Sequence, residues 1–343
     1  MRPEQHQLQS ETLGNSEIKM HSNDEDTTLT IAIPTFNRAS KLDGLLQRLT
    51  DSILHHSLQS RVKVLVSDNA STDNTSAVVE KHRNSHEFIL YECNKSNLGF
   101  DGNVFASFER SKSTYTWFFS DDDIPDQDAV KRVLDALVNT KTDVLRMSFR
   151  QPPTAIKGAF DFEARVHCIT DPKSCIEIVF RWPKISTYVI RNQRFDAIVN
   201  DYHRSTVGDG YSFILLALSA LQSSDSCKVA IISDPIASCD IDFDRLDWTP
   251  SPFLNSYRQA EHPFVATHSP ELKSQLRRRG YYGAIGLAFV AKSGKYRVSD
   301  PKAYDKFIKE FPIRPRYLLA SPRSLLKLIL LKLNFVPERR PST

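Results

Sequence analysis

Short apolar segments alternate with segments of helical periodicity over residues 29–137, and this alternation limits the possible folds more than any other feature. Strands are predicted at residues 29–33, 62–66, 88–91 and 115–119. Helices are predicted between and after them, because apolar residues recur three and four positions apart, as they do from Leu42 to Ile53. Alternating strands and helices with short connections are typical of a mostly parallel sheet covered by helices on both faces. The sequence therefore predicts a Rossmann-like α/β fold.

The alternation becomes less regular after about residue 140. Further strands are predicted at residues 144–149, 186–190 and 229–232, and an apolar helix through Ile214 and Leu221 is predicted to open at Gly208, Asp209 and Gly210. We therefore divide the chain into a disordered polar leader at 1–27, a first half at 28–150, a second half at 151–265 and a basic helical region at 266–343.

The composition excludes several classes of protein. A chain of 343 residues with 40% hydrophobic and 25% charged residues is ordinary for a soluble globular protein. No stretch reaches the roughly 18 consecutive apolar residues that a membrane span needs, and the N-terminal residues have no apolar core of a secretory signal. The five cysteines are scattered and odd in number, which argues against a disulfide framework. We therefore expect a reduced, cytoplasmic protein.

The acidic segment, residues 120–123, follows the fourth predicted strand and reads SDDD. Open α/β sheets place ligand sites at the carboxyl ends of their strands, and three adjacent carboxylates favour a neutralising cation such as Mg²⁺ or Mn²⁺. One interpretation is therefore a metal-diphosphate site. The other is a solvated loop in which Asp123 or Asp126 caps the following helix. An EF-hand is excluded, because its sixth position, counted from Asp121, would be Asp126 rather than glycine.

Polar loops also follow the first two predicted strands. Residues 34–38 read PTFNR, and residues 67–75 read SDNASTDNT. Ser40 is the predicted N-cap of the first helix and Asp73 that of the second, whereas Asp68 lies too early in the chain to cap a helix. Because parallel strands end at one edge of a sheet, we expect these loops to lie near the acidic segment.

Four segments in this order resemble the family-two inverting glycosyltransferases, which have the GT-A fold. They are IAIPTFNR at 31–38, VSDNASTDNT at 66–75, NKSNLGFDGN at 94–103 and FFSDDDIP at 118–125. Within that family the chain is most similar to bacterial sugar transferases that build O-antigen, capsule or exopolysaccharide repeats. The resemblance implies a nucleotide-sugar-binding half at 28–150 and an acceptor-binding, catalytic half at 151–265.

The resemblance also implies which residues contact the nucleotide sugar. The set is Pro34, Thr35, Asn37, Arg38, Asp68, Asn69, Asn97, Gly99 and Asp121. The local chemistry agrees for the first of these loops, since a strand end beside a helix N-terminus suits an anionic ligand.

The same resemblance implies a divalent ion, Mn²⁺ or Mg²⁺, held by Asp122 and Asp123, with Ser120 standing where the family often has its first aspartate. The ion would neutralise charge on the departing nucleoside diphosphate. Inverting transfer also needs a general base. Asp209 is the candidate, with a helix N-cap as its alternative role, and Asp196, Asp240 and Asp242 are substitutes.

The implied function is transfer of a hexosyl or deoxyhexosyl residue, with inversion, from a nucleoside-diphosphate sugar to a glycan or lipid-linked saccharide. A non-catalytic module that binds nucleotide or carbohydrate is the first alternative. A metal-dependent nucleotidyltransferase is the second, and it is disfavoured because residues 34–38 contain no glycine for a phosphate loop.

The C-terminal region carries the positive charge of the chain. From Arg277 to Thr343 there are 16 Lys and Arg against 4 Asp and Glu. Residues 324–333, SLLKLILLKL, predict a cationic amphipathic helix on an anionic membrane surface, or alternatively a helix docked on the protein core. Nucleic acid is not an expected partner, because no interleaving of aromatic and basic residues accompanies the charge.

Overall fold

The computed structural model describes residues 29–150, 166–181, 183–192, 211–239 and 262–278, together with the single residues 259, 285 and 326. The first half has the predicted alternation. Its elements are β1 Leu29–Thr35, α1 Ala39–His55, β2 Val62–Asp68, α2 Thr75–Arg83, β3 Ile89–Cys93, α3 Gly99–Arg110 and β4 Tyr115–Phe118. Strand β1 pairs in parallel with β2 and β4, and β2 pairs in parallel with β3. The α/β prediction is confirmed.

The elements after β4 add strands to the same sheet. They are β5 Asp123–Pro125, α4 Ala129–Thr140, β6 Val144–Met147, β7 Val166–Ile169, α5 Pro172–Phe180, β8 Tyr188–Arg191, α6 Ser212–Gln222, β9 Val229–Ile232, β10 Ala237–Cys239 and α7 Pro263–His268. The eight-stranded order is β3-β2-β1-β4-β8-β6-β9-β7, and β5 pairs with β10 in a separate ribbon. Strands β7 and β8 run against the other six.

Strand β8 lies between β4 and β6, so the sheet is continuous across the predicted boundary at residue 150. The two faces of this sheet form two apolar layers. Ile31, Ile33 and Trp117 pack on one face under α1, α2 and α4. Ala32 and Phe118 pack on the other face with α3, α5, α6 and α7. Burial on both faces explains why the strands read as nearly continuous apolar runs.

Four predictions about local structure are wrong in detail. The N-cap of α2 is Asn74 rather than Asp73, whose carboxylate instead accepts from the N–H of Thr75, the first residue of that helix. Ser40 is not an N-cap, because α1 already begins at Ala39, whose N–H donates to Asp73 Oδ2 at 3.0 Å. The helix after the third strand, predicted from the sequence at residues 103–110, begins at Gly99 instead. The predicted strand at 186–190 opens as the 3₁₀ turn Ile185–Thr187.

The capping alternative for the acidic segment is also wrong. Helix α4 has no side-chain hydrogen bond at its N-cap. The Asp123 carboxylate instead accepts from Ser186, and that of Asp126 pairs with Arg150. Among the helices in the described ranges, none combines the length and the hydropathy that crossing a bilayer requires.

Candidate active site

The first and fourth motifs meet at the carboxyl edge of the sheet. Because β1 and β4 are parallel neighbours, Thr35 at the end of β1 and the acidic segment after β4 emerge side by side. Thr35 Oγ1 donates to Asp121 Oδ2 at 2.7 Å, and Arg38 Nη1 donates to Asp121 Oδ1 at 2.9 Å. The predicted proximity of these residues is therefore confirmed.

Asp121 and Asp122 share the Arg38 guanidinium, whose Nη1 lies 3.0 Å from Asp122 Oδ2. Burial raises the pKa of Asp121 although Arg38 and Thr35 act in the opposite direction. Burial acts upward on Asp122 as well, but the hydrogen bond from Ser120 and the charge of Arg38 leave its pKa below the ordinary value. The surroundings therefore favour the ionised form of Asp122, whereas desolvation opposes the ionised form of Asp121.

Asp123 faces the second half of the chain. Its Oδ2 accepts from Ser186 Oγ at 2.5 Å, and its Oδ1 lies 2.9 Å from Lys184 Nζ. The Ser186 hydroxyl oxygen also accepts from the Ser120 N–H at 2.9 Å. Burial raises the pKa of Asp123 despite the Lys184 charge. Neither Lys184 nor Ser186 was predicted, because neither stands in a motif.

The three carboxylates differ in how accessible they are to a ligand. The Asp121 and Asp123 side chains are 5% and 1% exposed, whereas that of Asp122 is 25% exposed. Among the described residues, no three His, Cys, Asp or Glu side chains are grouped as a metal centre. One accessible carboxylate nevertheless fits Mg²⁺ or Mn²⁺ in the usual way, because Mg²⁺ is commonly held by one or two carboxylates plus substrate phosphates.

A cavity of about 200 Å³ opens beside the acidic segment. Its second wall is the start of α1, including Lys41, Gly44 and Arg48. Lys41 helps to lower the pKa of Asp122 through its charge. The cavity therefore combines accessible carboxylate with basic side chains, a mixture suited to a diphosphate carried together with a divalent ion.

The loops after β1 and β2 are hydrogen-bonded to each other through Asn37. Its N–H donates to Ser71 Oγ at 2.9 Å, and its Oδ1 accepts from the Thr72 N–H at 2.8 Å. Asn37 has φ 53°, a left-handed conformation that asparagine tolerates better than most residues. Pro34 lies within β1, in register with Ser67 of β2. These contacts fix the backbone on which Arg38 is carried.

Asp68 ends β2 and is buried. Its Oδ1 accepts from the Ser71 N–H at 2.9 Å, and its Oδ2 accepts from the Tyr91 hydroxyl at 2.7 Å. Burial and the Asp68 carboxylate raise the pKa of Tyr91, so the phenol remains protonated and keeps donating. Tyr91 lies on β3 and was not predicted, since the alternation of β3 indicates only a strand.

Asn69 holds the loop between β3 and α3 against the end of β2. Its Nδ2 donates to Asn97 Oδ1 at 2.8 Å and to Gly99 O at 3.1 Å. Its Oδ1 accepts from Asn94 Nδ2 and from the Leu98 N–H. Gly99 has φ +73°, which favours glycine at the start of α3. The structure thus brings Asn69, Asn97 and Gly99 together as one network.

The predicted general base, Asp209, lies outside the described residues, as do its substitutes Asp196, Asp240 and Asp242. The basic segment at 324–333 also lies outside them except for Leu326. The described residues therefore include the predicted nucleotide-sugar and metal residues but not the predicted base.

The family model described as glycosyl transferase family 2 matches residues 30–195. The abequosyltransferase RfbV of Salmonella typhimurium is 26% identical over 234 residues, which are 64% of this chain and 68% of that protein. The dolichyl-phosphate beta-glucosyltransferase of Saccharomyces cerevisiae is 27% identical over 147 residues, 40% of this chain and 43% of that protein.

Solved structures with the same fold include those of S. aureus TarS. The crystal structure of TarS 1-349 in complex with UDP-GlcNAc has a TM-score of 0.55 at 14% identity, covering 90% of this chain and 88% of that one. The structure of TarS 1-349 alone has a TM-score of 0.53 at 15% identity, covering 91% of this chain and 81% of that one. At these identities the likeness concerns the fold.

Proposed function

Because the chain belongs to glycosyl transferase family 2 through residues 30–195, we propose that it transfers a sugar with inversion from a nucleoside diphosphate to a glycan or lipid-linked saccharide. It is a nucleotide-sugar glycosyltransferase, and the proposed process is the synthesis of a bacterial surface polysaccharide. A relative named as an abequosyltransferase supports a hexosyl or deoxyhexosyl residue as the group transferred.

One observation gives the main support for the proposed donor site. Thr35 and Arg38 from the first motif bind Asp121 and Asp122 from the fourth, although more than eighty residues separate them along the chain. A cluster of cation and carboxylates at a sheet edge, next to the start of α1, can receive a diphosphate and its counterion. A module that served only the packing of the fold would gain little from gathering partly buried charges there.

Arg38 and the three carboxylates of the acidic segment have different roles in donor binding. Arg38 is half exposed and directs a permanent positive charge toward the site, where it can pair with phosphate oxygens. Asp122 and Asp123 would hold Mn²⁺ or Mg²⁺. When bound, the ion neutralises charge on the departing diphosphate. Asp121 contacts the sugar, and the ends of β1 and β2 carry the nucleoside.

Inversion follows from a single displacement. The acceptor hydroxyl oxygen forms a bond to the anomeric carbon while the bond from that carbon to the diphosphate oxygen breaks on the opposite side. A base must take the acceptor proton at the same time, and Asp209 is the proposed base. The nucleoside diphosphate leaves with the electron pair of the broken bond.

The first test is thermal stabilisation by UDP, GDP, dTDP and CDP, each with and without Mn²⁺ or Mg²⁺. A ligand that binds the folded state raises Tm by mass action. We expect a shift for one base, dependent on the ion, which is lost in Asp122→Ala and kept in Asp135→Ala. Asp135 is a matched control, because it is an exposed aspartate on α4 paired with Lys131. No shift with any nucleotide would refute the proposed donor site.

The second test is transfer itself. With the donor identified, sugar transfer to extracted lipid-linked saccharides is measured, and the anomeric configuration of donor and product is compared by NMR. Retention of configuration would refute inversion. Asp209→Asn is expected to abolish transfer while leaving the nucleotide shift intact. Nucleotide binding without transfer by the wild type to any such acceptor would favour the non-catalytic module.

Membrane association is proposed for the basic C-terminal region, at the cytoplasmic face. Its support is the excess of Lys and Arg in the sequence, since about 1 kcal/mol per basic residue is gained near an anionic surface. The full chain is expected to sediment with vesicles containing phosphatidylglycerol but not with neutral phosphatidylcholine vesicles. Deletion of residues 322–343 should abolish sedimentation, and unchanged sedimentation would refute this role.

A further inference from the structure

A buried asparagine lies behind the loop that carries two of the predicted nucleotide residues. Asn94 directly follows β3 and is 6% exposed, whereas Asn97 and Gly99 are exposed. The Asn94 N–H donates to the carbonyl of Asp68 at 2.8 Å, which continues the pairing of β3 with β2. A residue so deeply buried would act on a ligand through the residues that it contacts.

The side-chain amide of Asn94 is held in one orientation. Arg110 Nη2 donates to Asn94 Oδ1 at 2.8 Å. A guanidinium has only donors, so the amide group that faces it must be the oxygen, and the NH₂ group must point the other way. Asn94 Nδ2 accordingly donates to Asn69 Oδ1 and to Asn103 Oδ1, each at 3.0 Å. Arg110 thus determines which end of the Asn94 amide meets Asn69.

The orientation of the Asn69 amide follows from that of Asn94. Because Asn69 Oδ1 accepts from Asn94, its Nδ2 is directed to Asn97 Oδ1 at 2.8 Å and to the Gly99 carbonyl at 3.1 Å. The Leu98 N–H donates to the same Oδ1 of Asn69 at 2.9 Å, so the loop and Asn94 hold this amide from two sides. The hydrogen bonds therefore run in one direction, from the buried end of the network to the exposed loop.

We propose that Asn94 is a positioning residue for the nucleotide of the donor: through Asn69 it holds Asn97 and Gly99 in the arrangement that binds the nucleotide. Asn94 contacts neither the nucleotide nor the ion in this role. The inference rests on the proposed function, and it adds a residue outside the predicted nucleotide and metal sets.

Asn94→Asp is the most direct test, because aspartate keeps the shape of asparagine but replaces the NH₂ group with an oxygen that has no hydrogen to donate when ionised. That oxygen would face Asn69 Oδ1 and Asn103 Oδ1, which are both acceptors. Rotation of the Asn69 amide would relieve one clash but would turn its oxygen toward the acceptors on Asn97 and Gly99. No rotation satisfies the whole network, so the exposed loop must shift.

The measurement is the dissociation constant, with Mn²⁺ present, of whichever of UDP, GDP, dTDP and CDP stabilises the wild type. We expect Asn94→Asp to raise this constant about 10-fold, the effect of losing one or two hydrogen bonds. The kcat at saturating donor should stay within about twofold. The reason is that, within the described residues, neither Arg38 nor Asp122 is hydrogen-bonded to Asn94 or to the asparagines that it contacts.

A double-mutant cycle tests whether Asn94 acts through Asn69. In a protein that already carries Asn69→Ala, the further change Asn94→Asp should alter the dissociation constant by less than about twofold. A change that affected only the general stability of the fold would weaken binding equally in both backgrounds. The cycle therefore separates a positioning role from a structural one.

Asn192→Asp is the matched control. Asn192 follows β8, and its amide donates to Ser111 Oγ at 3.0 Å and to the Ser113 carbonyl at 2.6 Å while it accepts from the Thr116 hydroxyl at 2.7 Å. The substitution removes a comparable set of hydrogen bonds away from the predicted nucleotide residues. It should lower Tm and leave the nucleotide dissociation constant unchanged.

The positioning role is refuted if Asn94→Asp binds nucleotide as tightly as the wild type, if its loss is the same with and without the Asn69 side chain, or if Asn192→Asp weakens binding as much. If Asn94→Asp does not fold, Asn94→Ala is taken through the same cycle, with an expected loss of about 3-fold to 10-fold and the same criteria. The wild type is measured first, and absence of any nucleotide-dependent Tm shift there would count against the proposed function itself.

Discussion

Replacing Asp73 with alanine tests whether one side chain caps two helices. Asp73 Oδ1 accepts from the N–H of Thr75 at 3.0 Å and from its hydroxyl at 2.5 Å, at the start of α2. Asp73 Oδ2 accepts from the Ala39 N–H at 3.0 Å, at the start of α1. The carboxylate thus joins the N-termini of two helices that are adjacent in the chain and follow the loops after β1 and β2.

The magnitude follows from these three hydrogen bonds. Loss of a helix cap costs about 1 kcal/mol, so loss of two caps costs about 2 kcal/mol. The Thr75 hydroxyl belongs to a fully buried residue and would lose its acceptor, which adds about 1 kcal/mol. We therefore expect Asp73→Ala to lower the free energy of unfolding by about 2 to 3 kcal/mol. Asp73→Asn keeps one acceptor oxygen and should lose about half of that.

The assay is equilibrium unfolding in urea, with Asp51→Ala as the control. Asp51 lies on the exposed side of α1 and accepts from Gln47, so its removal should change stability by less than about 0.5 kcal/mol. Both the midpoint and the slope are compared, because a change in slope would indicate a different unfolding transition. If Asp73→Ala lies within the same 0.5 kcal/mol of the wild type, the assignment of a double cap is wrong.

The same carboxylate predicts a pH dependence. The hydrogen bond from Thr75 holds the pKa of Asp73 below its ordinary value of 3.8, although burial acts the other way. A group whose pKa is lower in the folded state stabilises above its unfolded pKa and loses that stabilisation as pH falls through the folded pKa. The difference between wild type and Asp73→Ala should therefore be constant near pH 7 and shrink below about pH 4. A difference that grows on acidification would contradict this assignment.

Three further substitutions have expected outcomes. Lys141→Gly should raise the free energy of unfolding, measured by urea denaturation, by about 1 kcal/mol. Lys141 is the C-cap residue of α4 and has φ 48°, a conformation that has no steric cost for glycine. Equal or lower stability would contradict this prediction. Arg146→Lys should lower the free energy of unfolding by about 2 to 3 kcal/mol. The buried guanidinium donates to the carbonyls of Thr187 and Arg181, and one ammonium group cannot reach both. A loss below about 1 kcal/mol would contradict this reasoning. Asp121→Asn should raise Tm at pH 7, since burial raises the pKa of Asp121 and its ionised form therefore costs stability as pH rises through that pKa. The gain should disappear in acid, and a lower Tm at pH 7 would show that the Arg38 ion pair outweighs the desolvation cost.

The local patterns of the first half were sufficient to predict its elements and their convergence. Strands β1, β2 and β4 lie where apolar runs predicted them, and the parallel arrangement brought Thr35 beside Asp121 as expected. Helix ends were predicted less well. The cap of α1 comes from Asp73, 34 positions away, and Ser40 has no part in it. A capping residue supplied by another loop has no signature in the sequence around the helix it caps.

The sequence by itself determined which segments form strands, which face the core and which carry charge to the edge of the sheet, because burial and periodicity are local properties of the chain. Only the tertiary structure decided how the three adjacent carboxylates differ. Arg38 holds Asp121 and Asp122, whereas Lys184 and Ser186 hold Asp123 from a turn more than sixty residues further on. Asp101 of α3 likewise accepts a hydrogen bond from the Ser212 N–H at the start of α6, 111 positions further along the chain. The exposure and pKa of a carboxylate depend on which groups folding places around it, and neighbours in space need not be neighbours in sequence.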